Sequence, residues 1–425
     1  MNLPRTPEEG LAFLESRSPS TVVLGLGRMQ EALEELGHPE LRLRTVQVGG
    51  TNGKGSTCAF LDAMLRAAGH RVGLYTSPHL VKVNERIQLG AVPIDDAAFG
   101  TRIVEVLARS PAAAGATYFE LGTLVALEHF AREQVEVAIL EVGLGGRLDA
   151  TTASRPRLTA LTRVGMDHTE LLGETVEAIA REKAGILRKG VPAVVAEQRP
   201  EALAAIETVA GSVGAPLVRE GRDFSLDLLG RYRGSGMALD GLALGLHGEH
   251  QHHNAAVAVA CARLLESQGV AVGAEAIREG LRRTRWPGRL EQVPGHPPLL
   301  LDGAHNEDGV AALRTALDAP PYAHRPVHLV FGVVADKRVE PMLQGLLPRC
   351  TSAVLTPVPT PRSLDPERYV AVARSLCPRV EVAAGPGAAL DRARQNSGPD
   401  GWVLVAGSLY LVGAVKALLE HIGPR

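Results

Sequence analysis

A chain of 425 residues with a formal net charge of −2 is long enough for two or three domains, and its charge gives no global attraction for nucleic acid or an anionic membrane. Its hydrophobic content of 45% and charged content of 22% are ordinary for a globular protein, and no apolar run reaches the roughly 18 residues that span a bilayer. Four scattered cysteines form no C-x-x-C pair, and the N-terminus has no apolar signal-peptide core. We therefore expect a cytoplasmic protein with reduced thiols.

Residues 6–37 are expected to form helices that are interrupted near Pro19 and at residues 24–27. A β-branched run at 46–48 then leads into a glycine-rich turn, and the apolar spacing of residues 60–68 predicts a helix that ends at Gly69. Further along the first half, strands are expected at 71–75, 135–142, 158–164 and 191–196, with helices at 95–109, 118–133, 174–188 and 254–266 and short strands within 215–247.

The glycine-rich turn carries the strongest functional signal in the sequence. Its residues are Gly50, Thr51, Asn52, Gly53, Lys54, Gly55 and Ser56. Glycines allow backbone N–H groups to converge on an anion, and the N-terminus of the following helix points at the same place. A lysine in such a turn reaches the β- and γ-phosphates of a nucleotide, and a following hydroxyl holds Mg²⁺. The pattern indicates nucleoside triphosphate binding, although Gly55 separates the lysine from the hydroxyl residue that usually follows it directly.

Three other polar residues stand where predicted strands end. Ser77 follows the strand at 71–75, Glu141 lies at the end of the strand at 135–142, and His168 follows the strand at 158–164. Because ligands of open parallel sheets bind at the carboxyl ends of the strands, we expect these side chains to meet near the phosphate loop. Mg²⁺ prefers oxygen ligands, so the set predicts a magnesium site in which the imidazole is the unusual member.

The alternation breaks at the proline-rich segment 286–298, and strands resume at 299–302, 327–334, 353–358, 380–383 and 402–406. The predicted fold class is α/β. A P-loop, parallel-sheet ATPase domain over residues 1–292 is followed by a smaller, Rossmann-like α/β domain over residues 293–425.

Several residues carry weaker signals. On the residues alone, Lys183 is an ordinary helical lysine that is expected to be solvated. The histidines at 247, 250, 252 and 253 are a tract of the kind that binds metals, but no cysteine or carboxylate framework accompanies them. The turn from Asp302 to Asn306 is either a plain Asx turn or a surface that faces the nucleotide from the second domain.

Taken together, the motifs resemble the folylpolyglutamate synthase/dihydrofolate synthase family of the Mur ligase superfamily. The segments that carry the resemblance are Gly50–Ser56, Thr76–Leu80, Thr117–Glu120, Leu140–Thr151, Asp167–Thr169, Arg181–Ile186, Pro287–Arg289 and Asp302–Asn306. The resemblance implies an ATP-dependent amide ligase. Such an enzyme phosphorylates the carboxylate of dihydropteroate or of a folate's terminal glutamate, and the amine of L-glutamate then displaces the phosphate.

The resemblance also implies residue roles. ATP is expected to contact Thr51, Asn52, Gly53, Lys54, Gly55, Ser56, Asn254, Arg289 and Asp302. The expected ligands of Mg²⁺ are Ser56, Ser77, Glu141, His168 and a carbamylated Lys183, with a monovalent cation such as K⁺ as an optional addition. The expected catalytic side chains are Lys54, Lys183, His168 and His305. The pterin substrate is expected to contact Leu24, Gly25, Leu26, Thr117, Tyr118, Phe119, Glu120, Leu148, Asp149 and Ala150.

The expected partners are therefore small molecules: ATP, L-glutamate and a dihydropteroate or folate acceptor. Neither nucleic acid nor a membrane is expected as a partner, and a monomer is expected. Val23 stands where bifunctional members often have aspartate, which favours a monofunctional folylpolyglutamate synthase, whereas the intact Thr117–Glu120 segment favours both activities. Two further alternatives are a peptidoglycan-type Mur ligase and a nucleotide-regulated binding protein without ligase activity.

Overall fold

The computed structural model describes residues 3–18, 21, 23, 25–234, 236–398 and 400–422, so the predicted interruption at Pro19 and the predicted substrate residue Leu24 lie outside the described residues. The strands of the main sheet of the first domain are β1 Arg44–Gly49, β2 Val72–Tyr75, β3 Ile87–Leu89, β4 Val92–Pro93, β5 Val137–Glu141, β6 Leu158–Leu161, β7 Ala193–Val195 and β8 Leu217–Arg219. A small antiparallel sheet follows, with β9 Phe224–Leu226, β10 Tyr232–Gly234 and β11 Met237–Leu239.

The helices of this domain surround the main sheet. They are α1 Pro7–Glu15, α2 Gly27–Glu35, α3 Lys54–Ala67, α4 Asp96–Arg109, α5 Pro111–Ala114, α6 Tyr118–Arg132, α7 Thr169–Leu172, α8 Val176–Ala184, α9 Pro200–Val213, α10 His250–Glu266 and α11 Ala274–Arg283. None of the helices within the described residues combines the length and apolarity that crossing a bilayer would need.

The main sheet has the strand order β4-β3-β2-β5-β1-β6-β7-β8. Strands β2, β5, β1, β6, β7 and β8 run parallel, and at one edge β3 pairs antiparallel with β2 and β4 pairs antiparallel with β3. Strand β2 precedes Ser77, β1 precedes the phosphate loop and β6 precedes His168, and β5 ends at Glu141. In the sheet these strands stand in the order β2-β5-β1-β6. The predicted parallel sheet is confirmed, and it brings the four predicted strand ends side by side.

Helices cover both faces of this sheet. On one face Met64 of α3 and Leu281 of α11 are fully buried, and on the other face Phe99 of α4 and Phe130 of α6 are fully buried. Burying a side chain of this size contributes about 1.5–3 kcal/mol relative to leaving it in water. Strands β2, β5, β6 and β7 are buried along their whole length because helices cover both faces of the centre of the sheet.

Helix α10 begins one turn earlier than the sequence predicts. The prediction places Asn254 at its start, but the helix begins at His250, and Asn254 lies within it. The amide of Asn254 donates to Gln251 Oε1 at 2.9 Å and does not cap the helix. The predicted start is wrong because residues 250–253 are already helical, although their polar side chains carry no apolar repeat that would mark them in the sequence.

The second domain is a separate parallel sheet with one antiparallel edge strand. Its strands are β12 Glu291–Val293, β13 Leu299–Leu301, β14 Val327–Phe331, β15 Ser352–Leu355, β16 Val380–Val382 and β17 Trp402–Ala406, and its helices are α12 Glu307–Leu317, α13 Val339–Leu346, α14 Val370–Leu376, α15 Pro386–Ser397 and α16 Leu409–Ile422. The strand order is β12-β13-β17-β14-β15-β16. The predicted boundary between residues 292 and 293 falls inside β12, so a division just before Glu291 keeps this strand whole.

The packing of α1 on α4 gives a test of the fold. A Cβ atom on Gly100 would lie 2.0 Å from the backbone oxygen of Pro7, so we expect Gly100→Ala to push α1 away and to lower the free energy of unfolding by about 1–3 kcal/mol. The control is Gly211→Ala in α9, where an added Cβ meets nothing within 4 Å; it should raise the free energy of unfolding by about 0.5–1 kcal/mol. Urea denaturation measures the change in the free energy of unfolding that each substitution causes. Equal changes for the two substitutions would contradict this packing of α1 on α4.

Candidate functional site

The phosphate loop joins β1 to α3, and two of its glycines are required by its geometry. Gly50 has a φ of 133°, and a Cβ atom there would lie 1.9 Å from Thr162 Oγ1. Gly53, which caps α3, has a φ of 92°, and a Cβ atom there would lie 2.1 Å from Asn254 Oδ1. The turn therefore has its shape because side chains are excluded at both points, and it leaves the first N–H groups of α3 available to an anion.

Two lysines converge on one carbonyl of this loop. Lys54 Nζ donates to Gly50 O at 3.2 Å and to Thr51 O at 3.1 Å. Lys183 Nζ, from α8, donates to the same Gly50 O at 2.9 Å. Two ammonium groups beside one another repel, so the arrangement is poised to bind negative charge such as a triphosphate.

Lys183 is 4% exposed, so the expectation of a solvated helical lysine is wrong. Helix α8 packs its inner side against the core, and Lys183 lies on that side with Ile179 and Ala180. Burial and the neighbouring charge of Lys54 lower the pKa of Lys183 to about 7. Its amine is therefore largely neutral slightly above neutral pH, which an exposed lysine is not.

Glu141 ends β5 as a buried carboxylate. One of its oxygens accepts a hydrogen bond from the backbone N–H of Ser77 at 3.1 Å, and the side chain faces the central cavity. Burial raises the pKa of Glu141, and the positive charge of Lys54 opposes that rise. A buried carboxylate with so few donors is one that a bound cation would stabilise.

His168 follows β6 with a left-handed backbone, at a φ of 50°. Burial lowers the pKa of His168 to about 4 against the opposing charge of Asp167, so the imidazole is neutral at physiological pH. A neutral imidazole has a free ring nitrogen with which to bind a metal.

Asp167 was not predicted as a site residue. Although burial opposes its ionisation, contact with His305 and the charge of Lys337 hold the pKa of that carboxyl well below its usual range.

The predicted nucleotide and metal residues share one cavity of about 480 Å³ between the domains. Its lining includes Gly50, Thr51, Asn52, Gly53, Lys54, Gly55, Ser56, Ser77, Glu141, His168, Lys183, Asn254, Arg289, Asp302 and His305. The expectation that the strand ends of the first domain meet at one place is confirmed. The functional roles assigned to these residues stay predictions.

The second domain contributes its part of the cavity from the turn after β13. Asp302 is buried, and its carboxylate accepts from the backbone N–H groups of Leu290 at 2.9 Å and Ala304 at 2.8 Å. His305 Nδ1 lies 2.7 Å from Gly303 O, which leaves its other ring nitrogen toward Asp167 at 3.7 Å. The turn is thus more than an isolated Asx turn, because it braces the segment between the domains and faces the first domain.

Contacts across the domain interface involve several residues, among them Lys337, Arg199 and Asp308, to which the sequence patterns assigned no role. Lys337, from the loop after β14, forms an ion pair with Asp167. Asn52 and Asn306 exchange two amide hydrogen bonds of 3.1 Å, and Arg199 pairs with Asp308 at 2.8 Å. The only sequence signal for Lys337 was its position just after a buried strand of an α/β domain, which also holds for many residues without a role.

The predicted pterin residues form a neighbouring group. Phe119 lies against Tyr75, with ring centroids 5.7 Å apart, and a Cβ atom on Gly143 would lie 2.6 Å from the Phe119 ring. Asp149 is buried and accepts from the backbone N–H groups of Gly143 and Leu144, each at 3.0 Å. These contacts place both Phe119 and Asp149 against the loop that follows Glu141. Among the described residues of the predicted set, none lines the 480 Å³ cavity.

The remaining members of the set have structural partners. Thr117 and Glu120 form a capping box at the start of α6, and Glu120 also pairs with Arg28 of α2 at 3.0 Å. This pair ties the start of α2, and with it the adjoining Gly25 and Leu26, to the start of α6. Tyr118 lies under the guanidinium of Arg86, which is 5.1 Å from the ring centroid. The substrate role of this group stays a prediction.

The residues present fit a hard divalent cation. Ser56 and Ser77 supply hydroxyls and Glu141 supplies a buried carboxylate, and all three line the cavity. Within the described ranges no group of three His, Cys, Asp or Glu side chains is arranged to hold a metal, the His250–His253 tract included. A site of one carboxylate plus hydroxyls suits Mg²⁺, which completes its coordination with water and substrate phosphates.

Comparison with known proteins points to the same family as the sequence motifs. Residues 48–262 match the Mur ligase middle domain, and residues 288–409 match the Mur ligase glutamate ligase domain. The chain is 34% identical to the dihydrofolate synthase/folylpolyglutamate synthase of Bacillus subtilis over 97% of this chain and 99% of that protein, and 36% identical to the folylpolyglutamate synthase of Lacticaseibacillus casei over 92% and 94%.

Solved structures agree along the whole length. Escherichia coli FolC in complex with DHPP and ADP superimposes with a TM-score of 0.89 at 33% identity, covering 99% of this chain and 100% of that one. Mycobacterium tuberculosis folylpolyglutamate synthase complexed with ADP gives a TM-score of 0.88 at 30% identity, over 97% and 98%. The cavity shared by two α/β domains and these full-length matches place the chain in the dihydrofolate synthase/folylpolyglutamate synthase family of the Mur ligases, whose members are ATP-dependent ligases.

Proposed function

We propose that the protein adds L-glutamate both to dihydropteroate and to the γ-carboxylate of folates, each time through an acyl phosphate. The observation that carries the proposal is the shared cavity, in which Lys54 and Lys183 of the phosphate loop region face Asp302 and His305 of the second domain. A triphosphate and a carboxylate repel each other, so a reaction between them needs cations placed in advance, and this cavity supplies them.

Each part of the cavity has a role in this proposal. Backbone N–H groups of residues 50–56 hold the phosphates, and Lys54 stabilises the charge on the phosphoryl group as it is transferred. The carboxylate oxygen of the acceptor attacks the γ-phosphorus, and the bond to the β-phosphate oxygen breaks to release ADP. The neutral amine of glutamate then attacks the acyl carbon, the C–O bond to the phosphate breaks, and phosphate and the proton of the amine are released. The second domain closes the cavity from the other side, which keeps water from the acyl phosphate.

Ser56, Ser77, Glu141 and His168 are the residues that would hold Mg²⁺, which neutralises phosphate charge when bound. Lys183 belongs to this group only after modification, because an ammonium cannot ligate a cation. Since burial lowers the pKa of Lys183 to about 7, its amine is available to react with CO₂ near neutral pH. The resulting carbamate has the charge and the oxygens that a metal ligand needs.

The proposal that both acceptors are used rests on the group around Phe119 and Asp149, which adjoins the cavity through the loop after Glu141. Curated relatives that align along nearly the whole chain are named for both activities.

We also infer a monomer that works in the cytoplasm. The four cysteines are free and buried in the structure, which suits that compartment.

Phosphate release with single substrates omitted tests the function. We expect release to require ATP, L-glutamate and either dihydropteroate or a tetrahydrofolate, and ¹⁸O placed in the acceptor carboxyl group should appear in the released phosphate. Use of tetrahydrofolate alone would support a monofunctional folylpolyglutamate synthase. Release that is independent of acceptor and glutamate, or phosphate that contains no ¹⁸O during turnover, would contradict the proposal.

The substitution Lys54→Ala tests the phosphate loop. Loss of this ammonium should lower kcat by about 10²–10³-fold, because it removes a charge that stabilises the transferring phosphoryl group. Lys189→Ala, at an exposed lysine after α8, is the matched control and should leave kcat unchanged. Circular dichroism should show native secondary structure in both variants, and a Lys54→Ala enzyme with normal turnover would refute the assignment.

The substitution Lys183→Met separates stability from activity. Between pH 7 and about 10.5 the unfolded chain binds a proton at this lysine that the folded protein has released, so the native protein gains stability as the pH rises through this window. In CO₂-free buffer at pH 7, the free energy of unfolding of the variant should therefore exceed that of the native protein by a few kcal/mol, on the order expected for a buried lysine. This difference in the free energy of unfolding should become smaller toward pH 10.

Gly50 O keeps Lys54 as a donor in this variant, so no buried carbonyl is left unpaired. Activity should be lost at every pH. The exposed Lys189→Met serves as the control and should show no such pH-dependent difference. A Lys183→Met variant that is less stable than the native protein at pH 7 would contradict the lowered pKa of Lys183.

A further inference from the structure

Gln47 is a fully buried amide on β1, in the middle of the main sheet, and the proposed chemistry does not use it. Its neighbours Val46 and Val48 belong to the core on the side of α3 and α10. The side chain of Gln47 lies on the opposite face of the sheet, against the short 3₁₀ helix Ala150–Ser154. Burying an amide there costs free energy unless it is hydrogen-bonded, so its hydrogen bonds decide what the residue does.

The amide nitrogen of Gln47 serves two hydroxyls at once. Nε2 donates to Thr151 Oγ1 at 2.9 Å and to Thr152 Oγ1 at 2.7 Å. Thr151 Oγ1 in turn donates to Asp149 Oδ1 at 2.5 Å, and Thr152 Oγ1 donates to Gly146 O at 2.7 Å. Because both hydroxyl protons are given to a carboxylate and a carbonyl, which only accept, the Gln47 atom that faces the hydroxyls has to be the donor nitrogen. The direction of all four hydrogen bonds is therefore fixed.

Both arms of this hydrogen-bonded fork end on residues 143–146, which we call the glycine loop. Asp149 Oδ2 accepts from the backbone N–H groups of Gly143 and Leu144, each at 3.0 Å, and so fixes the start of the glycine loop. Thr152 bonds the carbonyl of the last residue and so fixes its end. One side chain on β1 thus holds both ends of a loop that is about 100 residues away in the chain.

The glycine loop lies between the two places that an acceptor of the proposed reaction has to reach. A Cβ atom on Gly143 would lie 2.6 Å from the ring of Phe119, so the loop packs closely against the predicted pterin group. Gly143, Leu144 and Gly145 also line the cavity that contains the phosphate loop. An acceptor with its ring system near Phe119 and its carboxylate in the cavity would run along this loop. Gln47 does not line the cavity, so it acts on such a molecule only through the loop.

The needs of the fold do not account for a glutamine at this position. Among the residues that the structure describes, none donates to the buried Oε1 of Gln47. A buried amide oxygen without a donor destabilises the folded state, whereas an apolar side chain of the same length would not. The two threonine hydroxyls would keep their own acceptors beside such a side chain. The fold would therefore be at least as stable with methionine here.

We propose that Gln47 is a positioning residue for the acceptor substrate, because its fork to Thr151 and Thr152 holds the glycine loop in the shape along which the acceptor lies. The proposal rests on the ligase function proposed above. The hydrogen bonds of Lys54 and Lys183 to the phosphate loop do not pass through the fork. The effect of Gln47 is therefore expected on use of the acceptor and not on binding of ATP.

Kinetics of Gln47→Met and Thr45→Val give the first test. Thr45 is a buried residue on the same face of β1, but its hydroxyl donates to Ser154 O at 3.3 Å, outside the fork, which makes Thr45→Val the matched control. We expect Gln47→Met to lower kcat/KM for dihydropteroate or tetrahydrofolate at least tenfold, with the KM for ATP within twofold of the native value and an unfolding midpoint in urea no lower than the native one. Thr45→Val should keep native kinetics. Native kcat/KM for the acceptor in Gln47→Met, or a KM for ATP that rises with the KM for the acceptor, would overturn the proposal.

A mutant cycle shows whether Gln47 acts through the two hydroxyls. In a Thr151→Val/Thr152→Val background the fork has no acceptors, so Gln47→Met should change kcat/KM for the acceptor less than twofold there. A loss in this background as large as the loss in the native background would overturn the proposal.

Hydrogen exchange of the glycine loop gives a readout that needs no turnover. Mass spectrometry of the peptide that covers residues 143–149 should show amide exchange at least fivefold faster in Gln47→Met than in the native protein, and native exchange in Thr45→Val. Unchanged exchange in Gln47→Met would overturn the positioning role, also where the background with two valines does not fold. If the native protein shows no glutamate-dependent turnover with any acceptor while the exchange effect appears, the proposed function fails and the link from Gln47 to the glycine loop stands.

Discussion

The site is organised by the attraction of two lysine ammonium groups to a single backbone carbonyl, that of Gly50. Two unit charges about 4 Å apart repel by about 4 kcal/mol at an effective dielectric of 20, so such a pair is tolerated only where other groups or a ligand compensate it. The buried carboxylate of Glu141 supplies part of that compensation for Lys54, while burial first and the charge of Lys54 second lower the pKa of Lys183. A triphosphate supplies the negative charge that the protein leaves unmatched.

Strand order makes this arrangement possible. Because β5 and β6 flank β1, the loops that carry Glu141 and His168 stand on either side of the phosphate loop, although up to about 120 residues separate them along the chain. The positive φ angles of Gly50 and Gly53 bring the backbone close to Thr162 and Asn254. Packing that excludes side chains thus shapes the phosphate loop as much as its own sequence does.

Local patterns in the sequence were sufficient for the phosphate loop, for the parallel sheet and for the positions of Ser77 and Glu141, since each depends on strand ends that apolar runs mark clearly. They were not sufficient for Lys183, because helical spacing does not show which element packs against a given face. The predicted start of α10 at Asn254 is wrong for a similar reason: the polar residues 250–253 before it carry no apolar repeat that marks them as helical. The pair of Asp167 and Lys337 spans 170 residues and two domains, which no local pattern records.

The chain passes once between the domains, through the segment between α11 and β12. Trp286 of this connection packs against the start of α3, where a Cβ atom on Gly55 would lie 2.8 Å from its indole nitrogen, and Arg289 lines the nucleotide cavity. The segment that joins the two domains therefore runs along the nucleotide cavity. A molecule bound in this cavity contacts the segment that connects the two domains, so its binding is coupled to the angle between them.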